Sequence, residues 1–217
     1  MMQIESLFAV PLLSTVIPNS EALNAQLEAL FKARALVGPR YQNIEPQMRI
    51  QPGVFESEFD LFSWQEPCVA ALAQICVRAL WQTVVLMTGA NQAQLDRLEM
   101  KLDAWFHLTE TGGYHALHNH PNATWSGVYC VNPGDASPSH IDSGVLSLLN
   151  PLSMGNMFLD YSNHNLVSPF SLNGHGVKFV PGQLVIFPSW LWHQAMPYFG
   201  KKTRITVAFN AWFPLRA

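Results

Sequence analysis

The sequence predicts a mainly β fold with N-terminal helices, an antiparallel sandwich or barrel of jelly-roll type beneath a helical cover. Helical signals end before Leu98, and the 115 residues that follow hold seven short β-rich stretches broken by Gly, Pro and Asn. Many short strands placed after helices point to an antiparallel architecture with the helices gathered on one side. At 217 residues, with 49% hydrophobic and only 12% charged, the chain has the length for one sizeable core and the composition of a folded protein. The organisation expected is a single domain over 1–217, with about 1–97 as the helical cover and about 98–213 as the β core.

An extended apolar run, Leu7 to Leu13, comes first. Asn19-Ser20-Glu21 then offers a helix start for about Glu21 to Ala35, because short polar side chains can cap the free N–H groups of a first turn; Gly38-Pro39 ends it. Tyr41 to Ser63, with Pro46, Pro52 and Gly53, reads as loop. A second helix runs from about Glu66 to Gly89, a plausible C′ glycine. Within it Pro67 to Met87 is the most apolar long segment, but Gln74, Arg78 and Gln82 at four-residue steps draw one polar stripe along it, which marks a buried helix and not a membrane span. The strands expected are Glu99 to Thr109, Trp125 to Val131, Val145 to Leu149, Met157 to Tyr161, Val177 to Val180, Leu184 to Phe187 and Thr203 to Trp212.

Twelve Lys+Arg against fifteen Asp+Glu give a net charge of −3 with no basic block, so neither a nucleic-acid partner nor a membrane tether is expected. The start, Met1 to Ser6, shows no cationic leader or apolar core, and a cytoplasmic location is expected. Cys68, Cys76 and Cys130 form no CxxC and read as small core residues. Low charge and the apolar helix around Ile75 suit a homodimer.

Four of the eight histidines lie between His107 and His120. Gly112-Gly113 implies a turn into an extended segment, in which residues two apart share a face: His118 and His120 then point one way and His115 the other. Two imidazoles from one strand, completed by a distant ligand, suit a divalent transition metal with positions left open for substrate. Farther on, Pro181 to Pro197 reads as turn, buried strand, turn, and then His193 entering the next strand. Eleven residues later, Arg204-Ile205-Thr206 puts a guanidinium and a hydroxyl on one strand face. Inside an apolar barrel that cation requires an anion, and a carboxylate of a small cosubstrate would supply it; a protein carboxylate at the rim is the alternative. Trp105, Trp125, Tyr129, Trp190, Trp192 and Trp212 read as barrel core rather than a substrate platform; of these the Tyr129 hydroxyl is the one that could reach a cosubstrate, and Tyr114 or Asn119 could equally do so.

Taken in order, H-N-H-P, W-S-G-V-Y, P-G-Q-L-V-I-F-P-S-W-L-W-H, R-I-T and A-F-N resemble the 2-oxoglutarate–Fe(II) oxygenases of a bacterial and phage group with an H-x-H-P-N…S-G-V-Y-Y motif, over roughly Leu98 to Phe213. The resemblance implies a double-stranded β-helix, the cupin-like jelly roll. It implies iron held by His118, His120 and His193, and 2-oxoglutarate whose distal carboxylate meets Arg204 with help from Thr206. It also implies oxidation of an unknown substrate by O2, coupled to decarboxylation of 2-oxoglutarate. Two departures stand out: His120 where most such oxygenases have Asp or Glu, which leaves the site one unit more positive, and Cys130 where the group has a second Tyr. His140-Ile141-Asp142 is a rival H-x-D pair, but it leaves too few strands before His193 for this fold. Two other readings stay open: a three-histidine cupin-like metalloenzyme that does not use 2-oxoglutarate, and a non-catalytic β-helix binding protein.

Overall fold

In the computed structural model, the described residues are 3–44, 53–135, 137–154 and 160–216. Two antiparallel sheets face each other. The larger contains β1 (Leu13–Val16), β2 (Val54–Glu56), β3 (Lys101–Thr109), β5 (Trp125–Asn132), β8 (Gln183–Pro188) and β10 (Arg204–Trp212), in the order β1-β8-β5-β10-β3-β2. The smaller contains β4 (His115–His118), β6 (Leu146–Leu148), β7 (His175–Val177) and β9 (His193–Ala195), in the order β4-β9-β6-β7. Two long helices, α1 (Glu21–Leu36) and α2 (Pro67–Thr88), cover the larger sheet, and α3 (Gln92–Leu95) and α4 (Tyr161–His164) are single turns. The mainly β, jelly-roll expectation is borne out.

The larger sheet is apolar on one face and chemically varied on the other because its strands alternate with period two. On β10, Ile205, Val207, Phe209 and Ala211 join a core with Leu27 and Phe31 of α1 and Leu72 and Leu80 of α2. Arg204, Thr206, Ala208 and Asn210, the residues between, line the space between the sheets. β3 follows the same rule, with Phe106 stacked on Phe31 at 4.2 Å between ring centroids, while Trp105 and His107 face inward. A second, smaller core of Leu146, Leu148, Val177, Val185 and Phe187 closes the far side of the sandwich.

Both long helices begin and end near the expected residues. Gly89 takes the left-handed conformation (φ 66°) and returns its N–H to the Val85 carbonyl at 2.9 Å, a C-terminal cap open to glycine at no steric cost. Gln74, Arg78 and Gln82 are exposed while Cys68, Leu72, Cys76 and Leu80 are buried, so the polar stripe faces outward as the spacing predicts. By length and composition alone α2 could cross a membrane; here its apolar stripe packs on α1 and the sheet.

Several expectations need correction. The stretch 1–97 supplies strands as well as helices: β1 and β2 form the two edges of the larger sheet, and β2 lies in what reads as loop. Three or four residues are too few to declare a period, and their pairing partners lie more than 40 residues away. The strand expected at Val177 to Val180 sits earlier, at His175–Val177, where it pairs with β6. Of the strand expected over Met157 to Tyr161, residues 157–159 lie outside the described residues, and Tyr161 begins α4 behind an Asp160 cap. Trp190 and Trp192 are about half exposed rather than core.

Removing the Phe106 ring should test the helix-to-sheet core: Phe106→Ala is expected to cost about 3–5 kcal/mol in urea unfolding, and a loss below about 1 kcal/mol would contradict this packing.

Candidate metal and cosubstrate site

The site lies in a cavity of about 170 Å³ between the sheets. His118 comes from the end of β4 and His193 from the start of β9, where they face each other as a register pair. His120 follows in the turn after β4, which is stitched to the end of β8 by the His120 N–H donating to the Ser189 carbonyl at 2.8 Å. One ring nitrogen from each of the three lies within 4.8 Å of the others. His118 Nδ1 is 2.7 Å from the Ala116 carbonyl and His193 Nδ1 is 2.8 Å from the Leu191 carbonyl. A carbonyl can only accept, so both Nδ1 atoms carry the hydrogen and both Nε2 lone pairs are left for a ligand. Burial, more than any neighbour, depresses all three imidazoles, to about 4 for His120 and about 3 for His193. They are therefore neutral at physiological pH. Neutral imidazoles whose nitrogens converge are a donor set that fits a divalent transition ion, and His118, His120 and His193 are the residues that could hold one.

Arg204 enters the same cavity from β10. It is 6% exposed and, among the described residues, forms no ion pair or side-chain hydrogen bond; its neighbours include the Phe179 ring, 5.8 Å from the guanidinium carbon, and Gly144. A Cβ on Gly144 would stand 3.1 Å from Arg204 Cδ, and that glycine has φ 66°, so backbone passes closely over the guanidinium. Burial pulls the Arg204 pKa below its ordinary value, as it does for a cation without an anionic partner. Thr206, on the same face of β10, also lines the cavity. The alternative that Arg204 pairs with a protein carboxylate at the rim is not what the described residues adopt, and the site suits a small anion that also reaches the histidines.

Tyr129 is a correction. It is fully buried, but on the helix side of the larger sheet, where its hydroxyl donates to Asn24 Oδ1 at 2.7 Å. Period-two alternation on β5 sends Ser126, Val128 and Cys130 inward and Tyr129 outward, so its hydroxyl has no path to a cosubstrate. His115 is a second correction. A register irregularity in β4 between His115 and His118 breaks the simple alternation, and His115 lines the cavity with its ring 4.2 Å from that of His107. The rival His140 and Asp142 are exposed, with His140 stacked on Phe199 outside the cavity. Sequence reasoning missed Glu56 and His107, whose side chains meet at 2.9 Å in the cavity wall. The only signal for Glu56 is a short Val54-Phe55-Glu56 stretch after Pro52-Gly53.

Comparison with known proteins agrees with this geometry. Residues 103–210, about half of the chain, match the family model "Putative 2OG-Fe(II) oxygenase". Among solved structures, a prolyl-4-hydroxylase from Pseudomonas putida is similar with a TM-score of 0.60 and 17% identity, covering 96% of this chain and 94% of that one. A prolyl hydroxylase from Trichoplax adhaerens, in complex with a hypoxia inducible factor peptide fragment, gives 0.60 and 14% over 93% and 83%. HygX from Streptomyces hygroscopicus, with nickel and 2-oxoglutarate bound, gives 0.55 and 12% over 93% and 82%. At these identities the likeness is one of fold, a double-stranded β-helix core. No curated protein matches the sequence.

Protonation links the site to stability. In the unfolded chain these imidazoles take up protons as the pH falls through 6.5, whereas folded His120 and His193 resist until about 4 and about 3. The unfolded state thus binds more protons across that window, and stability falls as the pH drops. The metal-free protein should be less stable at pH 5 than at pH 7.5 by roughly 2 kcal/mol for each of these two histidines, read as a lower urea midpoint; equal midpoints would contradict neutral, buried imidazoles.

Proposed function

The chain belongs to the 2OG-Fe(II) oxygenase family, an iron- and 2-oxoglutarate-dependent oxygenase class, and on that premise we propose that it hydroxylates a C–H bond of an organic substrate. In this reading His118, His120 and His193 hold the iron, and Arg204 with Thr206 receives the distal carboxylate of 2-oxoglutarate. The single observation that carries it is the placement in one cavity of three convergent, neutral imidazoles and a buried guanidinium that has no ion-pair partner among the described residues.

When bound, iron(II) with 2-oxoglutarate and O2 supplies the oxidising chemistry, releasing succinate and CO2. The chain's own residues bind, orient and exclude water. The carbonyls of Ala116 and Leu191 fix the rings of His118 and His193 in the tautomer that presents Nε2. Arg204, held by the close backbone at Gly144, offers a fixed fork to a carboxylate, and the Thr206 hydroxyl adds a donor beside it. Trp105, Phe179 and Phe187 keep the cavity wall apolar, which strengthens each of these electrostatic contacts. The net charge of −3 supports a small-molecule substrate over a nucleic acid, and the exposed Val85, Leu86 and Met87 at the end of α2 support a homodimer.

His193→Ala is expected to abolish stoichiometric iron binding and with it the Fe(II)-dependent conversion of 2-oxoglutarate to succinate. Metal analysis after anaerobic reconstitution checks this, and iron content equal to wild type would remove His193 from the ligand set. Bound iron in the wild type without any 2-oxoglutarate binding would favour a three-histidine centre of cupin type.

A further inference from the structure

Glu56 is the one carboxylate among the described residues that line the cavity. It sits at the end of edge strand β2, opposite His107 of β3, and its side chain is only 11% exposed. Strand register places Glu56, His107, Thr206 and Cys130 in one row across the larger sheet, with His115 of the smaller sheet standing over His107. Glu56 Oε1 accepts from the Asn43 amide at 2.9 Å, and Oε2 lies 2.9 Å from His107 Nε2. Burial acts to raise this carboxyl's pKa, but the His107 and Asn43 contacts outweigh it and hold it below the ordinary range, so Glu56 is ionised.

The same His107 nitrogen is 3.1 Å from the Trp105 indole N–H. One ring nitrogen cannot donate and accept at once, and an ionised Glu56 requires the hydrogen on His107 Nε2. Glu56 is not one of the three residues whose donor atoms converge, yet its charge is felt at His118 and at His120.

Most 2-oxoglutarate oxygenases place a carboxylate in the ligand set, where it offsets half the charge of the ion. In this chain His120 takes that place, and Arg204 adds a further buried cation. We propose that Glu56 is the outer carboxylate of the metal centre: without ligating the ion, it returns to the cavity the unit of negative charge that three neutral imidazoles leave out. With a divalent cation, a dicarboxylate cosubstrate, Arg204 and Glu56 all in place, the cavity is electrically neutral. Without Glu56 it carries an uncompensated positive charge in low-dielectric surroundings, which weakens the hold on the cation. This inference rests on His118, His120 and His193 being the ligands.

The test is a titration of the metal-free, full-length protein with Co(II), followed by visible absorption, in the wild type, Glu56→Gln, Glu56→Asp, His107→Gln and His193→Ala. Glu56→Gln keeps the shape and an acceptor for His107, and it should still take one Co(II) per chain with about tenfold weaker affinity. Glu56→Asp, which keeps the charge, should stay within about threefold of wild type. His107→Gln, which keeps the carboxylate and removes the imidazole, should bind at least as tightly as wild type. Unchanged affinity in Glu56→Gln would overturn the proposal, as would a loss as complete as in His193→Ala, which would make Glu56 a ligand. A tenfold weakening in His107→Gln would place the effect in the packing of the pair and overturn it as well, including where Glu56→Gln fails to fold. Failure of the underlying reading looks different: the wild type would take up no Co(II), or His193→Ala would bind as the wild type does.

Discussion

A buried guanidinium that meets no anionic partner among the described residues is the constraint around which much of the sandwich is arranged. Arg204 starts the central strand β10, flanked on both sides by long pairings with β3 and β5. Desolvating a cation costs several kcal/mol, so the fold must hold this residue in place by other means. It does so through the opposite face of the same strand, where Ile205, Val207 and Phe209 are buried under α1 and α2. The helices are thus part of the site's support: their apolar contact pins the strand whose other face carries Arg204 and Thr206.

The second constraint is the neutrality of the three imidazoles. Burial keeps His118, His120 and His193 neutral, and the carbonyls of Ala116 and Leu191 choose the tautomer of two of them. Among the described residues that line the cavity, protein groups then contribute one buried cation, Arg204, and one carboxylate, Glu56, both from the larger sheet. A dication and a dicarboxylate complement that balance, and the family to which the chain belongs is described by iron(II) and 2-oxoglutarate. The geometry and the family agree without either having to explain the other.

Much of this was legible in the sequence where elements are long and locally determined. α1, α2, β3, β5, β8 and β10 follow from periodicity and from Gly, Pro and cap residues. The Arg204 and Thr206 face follows from two-residue spacing alone, and the joint spacing of the histidine, glycine and arginine motifs carried the family resemblance. What was not legible depends on partners far away in the chain. β1 and β2 are strands only because β8 and β3 offer edges to them, which hid Glu56. The irregularity in β4 turned His115 inward, and no property of the tetrapeptide His115–His118 announces it. Tyr129 failed for the opposite reason: the alternation that served β10 so well, applied strictly to β5, would have sent it to the helix side with Val131.

The central claim is that Arg204 and the three histidines act together on one cosubstrate. The most direct measurement is anaerobic absorption of the protein reconstituted with Fe(II) and then given 2-oxoglutarate, in the wild type and in Arg204→Ala. The account predicts a visible metal-to-ligand charge-transfer band in the wild type, which in Arg204→Ala requires a much higher concentration of 2-oxoglutarate although iron is retained. A wild type that binds iron and develops no band, or a variant with the same concentration dependence as the wild type, would contradict it.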